Sequence, residues 1–139
     1  MCGAVRFTAV EAPDTYGICH CEMCRRWTGS ALLGVSVPTE QVNWTNEAQI
    51  GVLQSSDWAE RAWCRRCGSS LYFRVTEAGE WFGKTEIPLG LFDDPNGFKL
   101  SNEIYIDHKP DSYAFVGEGH LKLTRAECVA KFTRLDEET

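Results

Sequence analysis

The chain has 139 residues, 43% apolar and 24% charged, with a formal net charge of −6. That length suits a single folded domain able to bury a core, and the balance is that of an ordinary globular protein. No apolar stretch reaches the ~18 residues a membrane-spanning helix needs, and an acidic total disfavours nucleic acid, which wants a basic face.

Met1-Cys2-Gly3-Ala4-Val5-Arg6-Phe7 carries neither a basic leader nor an apolar signal core, so a reducing cytoplasmic setting is expected. In such a compartment the seven cysteines read first as metal ligands or redox groups and only then as disulfides.

In chain order, Ala4–Val10 alternates and is rich in β-formers, which predicts a strand. Glu11-Ala12-Pro13-Asp14 breaks it, and Tyr16–His20 predicts a short second strand leading into a cysteine cluster. Leu32–Val37 predicts a buried strand closed by Pro38, and Thr39–Val42 a short helical turn before Trp44. Ala48–Gln54 is a further strand candidate. Glu60–Val75 reads as strand, knuckle, strand, with Cys64-Arg65-Arg66-Cys67-Gly68 as the knuckle. The glycine after the second cysteine permits the tight backbone path, and nearby amides can reach the thiolates. Trp81–Thr85 and Ile87–Leu91 suggest strands, Phe92–Phe98 a loop with Asn96-Gly97 as its turn signal, and Ile104–Ile106 a short strand. Helical character is expected at the C-terminus, where Thr124-Arg125-Ala126-Glu127 has the capping-box pattern and Cys128, Phe132 and Leu135 follow at helical spacing. These elements predict one mainly β domain over residues 1–139, with a short helix at about 124–135.

The chemistry concentrates in Cys19-His20-Cys21-Glu22-Met23-Cys24. An extended Cys-x-Cys that turns into a Cys-x-x-Cys can aim all three sulfurs at one point. Zinc is tetrahedral, so three protein ligands leave one position for water or substrate, the arrangement of a reactive ion. Two competing readings remain: Cys21 and Cys24 as half of an ordinary zinc ribbon with Cys19 a spare thiol, or Cys21 and Cys24 sharing one ion with Cys64 and Cys67. The latter leaves 39 residues between the pairs, more than a compact ribbon usually has. A thioredoxin-like dithiol would open a helix, and Arg25-Arg26-Trp27-Thr28-Gly29-Ser30 does not read as a helix start, which sets redox behind zinc.

Other residues take lesser roles. His20 should point away from Cys19 and Cys21 because side chains alternate along a strand, which makes it a supporting or packing residue. His108 and His120 fall in polar loops and read as solvated, and Cys128 reads as a core residue of the terminal helix. Trp27 and Trp63 flank cysteines and could wall a pocket. Arg25 and Arg26 could attract a small anion. Asp93-Asp94-Pro95 reads as a turn, able to meet an α-amino group.

Cys2-Gly3-Ala4-Val5-Arg6-Phe7, Cys19-His20-Cys21-x-x-Cys24-Arg25-Arg26-x-x-Gly29, Ser55-Ser56, Arg61-x-x-Cys64-x-x-Cys67-Gly68-Ser69 and Asp93-Asp94-Pro95 occur in order. Together they resemble the glutathione-dependent formaldehyde-activating enzyme family, which also contains centromere protein V, from Cys2 to about Tyr113. The resemblance implies a small tent-like antiparallel β-sheet zinc fold with two ions. One is structural, with Cys2, Cys64 and Cys67 as ligands. The other is labile, held by Cys19, Cys21 and Cys24 at the catalytic site. The family's first motif cysteine would fall one residue before Met1, so a Cys-Met-Cys-Gly motif is expected. The implied activity is that of a carbon–sulfur lyase joining glutathione and formaldehyde as S-(hydroxymethyl)glutathione, with Arg25, Arg26 and Trp27 as candidate substrate-binding residues. The alternative is a non-catalytic, zinc-stabilised binding module.

Overall fold

The structure is a computed structural model, and it describes residues 1–131. Its strands are β1 (Phe7–Ala9), β2 (Thr15–Cys19), β3 (Leu32–Pro38), β4 (Val42–Trp44), β5 (Ile50–Gln54), β6 (Ala59–Cys64), β7 (Ser70–Val75), β8 (Lys84–Pro88), β9 (Lys99–Ile104) and β10 (Leu121–Leu123). Two helices join them, α1 (Glu22–Thr28) and α2 (Arg125–Lys131). The mainly β expectation is met. The chain groups into two compact units, Met1–Pro13 with Val35–Pro95, and Asp14–Gly34 with Asn96 onward.

In the first unit β5, β6, β7 and β8 form an antiparallel meander, and β1 pairs with β4 with Phe7 opposite Trp44. Ala62, Cys64, Leu71 and Tyr72 make a buried cluster, against which Ala4, Val5, Trp44, Ile50, Cys67 and Leu91 pack. Cys64 is thus part of this core and Cys67 packs against it. Arg61 is buried, donates from Nη1 to the Ser55 hydroxyl at 2.8 Å, and lies over the Phe73 ring. The serine pair and arginine of the sequence motif therefore close the β5–β6 hairpin. The Trp63 indole lies against Gly51 of β5, close enough that a Cβ added there would clash with the ring.

In the second unit β2 pairs antiparallel with the start of β3, Cys19 opposite Leu32. On its other side β2 runs parallel to β9, with Cys19 beside Ile104, and β10 runs parallel to β9. These parallel pairings join segments distant in sequence and carry no local signal, so the sheet is mixed, with parallel pairs beside the antiparallel ones that the resemblance implied.

Several expectations shift. The first strand begins only at Phe7, because Gly3, at φ +79°, bends the chain around Cys2. Trp81–Thr85 and Ile87–Leu91 reduce to the single strand β8, since Pro88 ends the ladder and Leu89–Leu91 coils into a 3-10 turn. Thr39–Gln41 is the short helical turn expected. The strand read at Ile104–Ile106 starts earlier as β9. It stops at Tyr105, whose φ of 55° is left-handed, and Ile106–His108 is a 3-10 turn. At α2 the capping box forms: Glu127 N–H donates to Thr124 Oγ1 at 3.2 Å, and Thr124 N–H to Glu127 Oε2 at 2.7 Å. Cys128 is fully buried on that helix as expected. Phe132 and Leu135 lie outside the described residues.

Candidate metal centres

The two cysteine sets expected to bind metal each come together. The Sγ atoms of Cys2, Cys64 and Cys67 all lie within 4.8 Å of one another, and so do those of Cys19, Cys21 and Cys24. Each set is closed within one of the two units. The mixed pairing of Cys21 and Cys24 with Cys64 and Cys67 is not among the clusters that the described residues form.

The first set is built on the β6–β7 turn. Cys64 is the last residue of β6 and is buried, and Cys67 follows in a turn closed by Gly68. Gly68 takes φ +81° and its N–H donates to the Cys64 carbonyl at 2.8 Å, while Cys64 N–H donates to Ser69 O at 2.9 Å. Only a residue free of Cβ crowding makes this bend cheaply. Cys2 reaches Cys64 with 3.8 Å between sulfurs and accepts from Ala4 N–H at 3.4 Å. The Ser69 hydroxyl, the Ser69 amide and the Cys2 amide hold the Cys67 thiol down to about 5. The Ala4 amide draws the Cys2 thiol downward, but burial and the neighbouring Cys67 and Cys64 sulfurs outweigh it and push it up. One sulfur is thus ready to ionise and its neighbour is held back, a conflict that a bound cation relieves.

The second set corrects the sequence reading of its surroundings. Cys-x-x-Cys does open a helix after a strand: β2 ends at Cys19 and α1 begins at Glu22 with Cys21 as N-cap. The Cys21 sulfur accepts the Cys24 N–H at 3.4 Å, standing in for the oxygen of a usual cap. The helix ends at Gly29, φ +81°, whose N–H donates to Arg25 O at 2.8 Å. Contacts from Cys21 and Cys24, followed by burial, raise the Cys19 thiol well above the ordinary range. The helix places the other candidates too. At about 100° per residue, Trp27 returns close to the face of Cys24, Arg25 lies to one side, and Arg26, which is exposed, lies opposite.

His20 is fully buried, as a supporting residue should be, and its Nε2 lies 2.8 Å from Glu103 Oε1. His120 is not solvated: its side chain is 3% exposed and its Nε2 lies 2.7 Å from Glu103 Oε2. Glu103 itself carried no signal, because β9 reads Lys-Leu-Ser-Asn-Glu-Ile and its polar run resembles a loop. His108 is partly exposed, with Nδ1 3.8 Å from Glu22 Oε1. Asp93 and Asp94 sit in an exposed turn.

Three sulfurs gathered at one point, twice over, suit zinc: soft thiolates at tetrahedral spacing are its preferred protein donors. Among the described residues no fourth His, Cys, Asp or Glu joins either set. The fold and these two sites therefore define a small, mainly β protein with paired three-cysteine centres. The chain belongs to the family of glutathione-dependent formaldehyde-activating enzymes, whose model matches residues 1–108. An uncharacterized lyase of Schizosaccharomyces pombe is 32% identical over 120 residues, covering 85% of this chain and 83% of that protein. A crystal structure of a Rhodobacter sphaeroides protein shares the fold at a TM-score of 0.53 and 16% identity, covering 88% of this chain and 94% of that one. No described helix is long and apolar enough to cross a membrane.

Proposed function

We propose that the chain acts as a carbon–sulfur lyase, a single functional domain that joins glutathione and formaldehyde at Cys19, Cys21 and Cys24. The observation that carries this reading is the second three-thiol set, opened by a strand–helix junction and lacking a fourth protein donor among the described residues. Family membership and the lyase name of the yeast relative support the reaction class. A reducing cytoplasm is the setting this reading takes, because clustered cysteines there serve as metal ligands rather than disulfides.

Cys2, Cys64 and Cys67 would hold a structural zinc that ties the N-terminal segment to the β6–β7 turn. Cys19, Cys21 and Cys24 would hold the labile one. Zinc there supplies a Lewis acid that favours the thiolate form of an incoming thiol at neutral pH. The chain's own contribution is placement. Trp27, on the Cys24 face of α1, offers an apolar wall, and Arg25 and Arg26 supply positive charge for the tripeptide's carboxylates. The reaction balances without a redox partner: the glutathione sulfur bonds to the formaldehyde carbon, the carbonyl π pair moves to oxygen, and oxygen takes the proton the thiol gave up.

The test is magnetisation-exchange NMR on glutathione and formaldehyde at equilibrium. The protein should speed exchange between free glutathione and S-(hydroxymethyl)glutathione above the uncatalysed rate, and Cys24→Ser should return it to that rate. Equal exchange with and without protein would leave the binding-module reading in its place.

A further inference from the structure

Glu103 is 2% exposed and accepts two hydrogen bonds, one on each oxygen, from two imidazoles that are themselves buried. His20 Nε2–H donates to Oε1 at 2.8 Å, and His120 Nε2–H donates to Oε2 at 2.7 Å. His20 is the residue between Cys19 and Cys21. Its backbone N–H donates to Ile104 O at 3.1 Å, and its ring is flanked by Phe115 and Tyr113 with centroids 5.9 and 6.4 Å away. Its Nδ1 is buried and has no hydrogen-bond partner. The ring thus has one polar anchor, Glu103, and the backbone on either side of it carries two of the three sulfurs.

The partners of this anchor arrive from far along the chain. Glu103 sits on β9 opposite Ile18 of the parallel strand β2, and His120 immediately precedes β10, which pairs with β9. Tyr113, Phe115 and His120 all lie beyond residue 108, where the match to the family model ends. We propose that His120 and Glu103 are positioning residues: the His20–Glu103–His120 bridge makes the segment after residue 108 a buttress that sets the spacing of Cys19 and Cys21. This rests on the reading of Cys19, Cys21 and Cys24 as a metal centre.

The physics favours a rigid device. A buried carboxylate is tolerated only while its oxygens are satisfied, and two N–H donors satisfy it from opposite sides. Removing either donor leaves an uncompensated buried charge that the segment must shift to solvate. Such a shift passes directly into the segment from the end of β2 to the cap of α1, which carries Cys19 and Cys21. Supporting groups of this kind, one step removed from the ligands, typically change metal affinity about 10- to 100-fold when lost.

The test uses Co2+ as the probe, because its thiolate charge-transfer and d–d bands report sulfur geometry. A Cys24→Ser protein identifies which bands and which release phase belong to the Cys19 set. His120→Ala and Glu103→Gln should shift those bands and speed release to a chelator by about 10- to 100-fold, with the bands of the Cys2 set unchanged. Glu103→Gln offers an amide N–H to a histidine donor where the carboxylate offered a lone pair, so it breaks one arm without changing volume. His120→Gln keeps an N–H donor within reach of Glu103 and should restore the wild-type bands and rate. Wild-type bands and rates in His120→Ala and Glu103→Gln would overturn the buttress while leaving the metal centre standing, as would equal changes at both sets. A wild-type protein that takes up no Co2+ at the Cys19 set would overturn the metal reading and the buttress together.

Discussion

The sulfurs of Cys2 and Cys64 stand 3.8 Å apart although 62 positions separate them in the chain. Cys64 is at the same time part of the buried cluster with Ala62, Leu71 and Tyr72. A metal held there acts as a crosslink between the N-terminal segment and the core, so its energy is folding energy. Cys64→Ser replaces a buried ligand with a hydroxyl and is expected to cost on the order of 4 kcal/mol, in the range seen for loss of a structural metal. Thermal unfolding of the wild type with and without a chelator should show the same direction, and the variant should no longer respond to the chelator.

The thiols of the metal-free protein should differ in reactivity. Ser69 holds Cys67 down to about 5, whereas Cys21 and Cys24 hold Cys19 well above the ordinary value. Only the thiolate is nucleophilic. At about pH 6, brief alkylation of chelator-treated protein should therefore label Cys67 well before Cys19, as read by peptide mass mapping. Ser69→Ala should narrow the difference by removing the hydroxyl that stabilises the Cys67 anion.

Gly29 ends α1 at φ +81°. A side chain there meets no neighbouring atom within 4 Å but does meet the backbone penalty of the left-handed region. Gly29→Ala should cost about 1 kcal/mol. Because α1 carries Cys24, metal at the Cys19 set should also leave faster, while metal at the Cys2 set should not.

Glu86, on β8, shows the opposite sign to Glu103. Burial raises Glu86 above the ordinary carboxylate value, against a smaller pull downward from Ser36. Burial also acts upward on Glu103, but hydrogen bonds from His120 and His20 outweigh it and lower the group. A raised group contributes stability that is present below its unfolded value and lost as pH rises through its folded value. A lowered group contributes stability that is present above its unfolded value and lost as pH falls through its folded value. Glu86→Gln should accordingly stabilise the protein at neutral pH by ~0.5–2 kcal/mol, with the gain shrinking as pH falls through the raised folded value and gone once pH is below the ordinary carboxylate value. Glu103→Gln should destabilise at neutral pH, with the loss shrinking only at lower pH, as pH falls from the ordinary carboxylate value through the lowered folded value. Chemical unfolding at a series of pH values separates the two.

The cysteine sets were legible because their signal is local: Cys-x-Cys and Cys-x-x-Cys spacing with glycine at a turn. The β6–knuckle–β7 hairpin and the Thr124–Glu127 cap were legible for the same reason. The helix α1 was not, since Cys24 is its one buried residue and it has no apolar face to register as a period. It is set instead by a sulfur cap and Gly29. The histidine bridge was illegible because its partners lie 83 and 17 positions apart, and polar residues in a polar-looking strand announce nothing until the parallel pairing of β2, β9 and β10 brings them together.

The most direct measurement is zinc retained per chain after dialysis, with and without glutathione. The proposed function predicts about two ions per chain, one of them lost or exchanged in the presence of glutathione. Cys24→Ser should hold about one, indifferent to glutathione. A wild-type protein that retains a single ion unchanged by glutathione would contradict a thiol-binding centre at Cys19, Cys21 and Cys24.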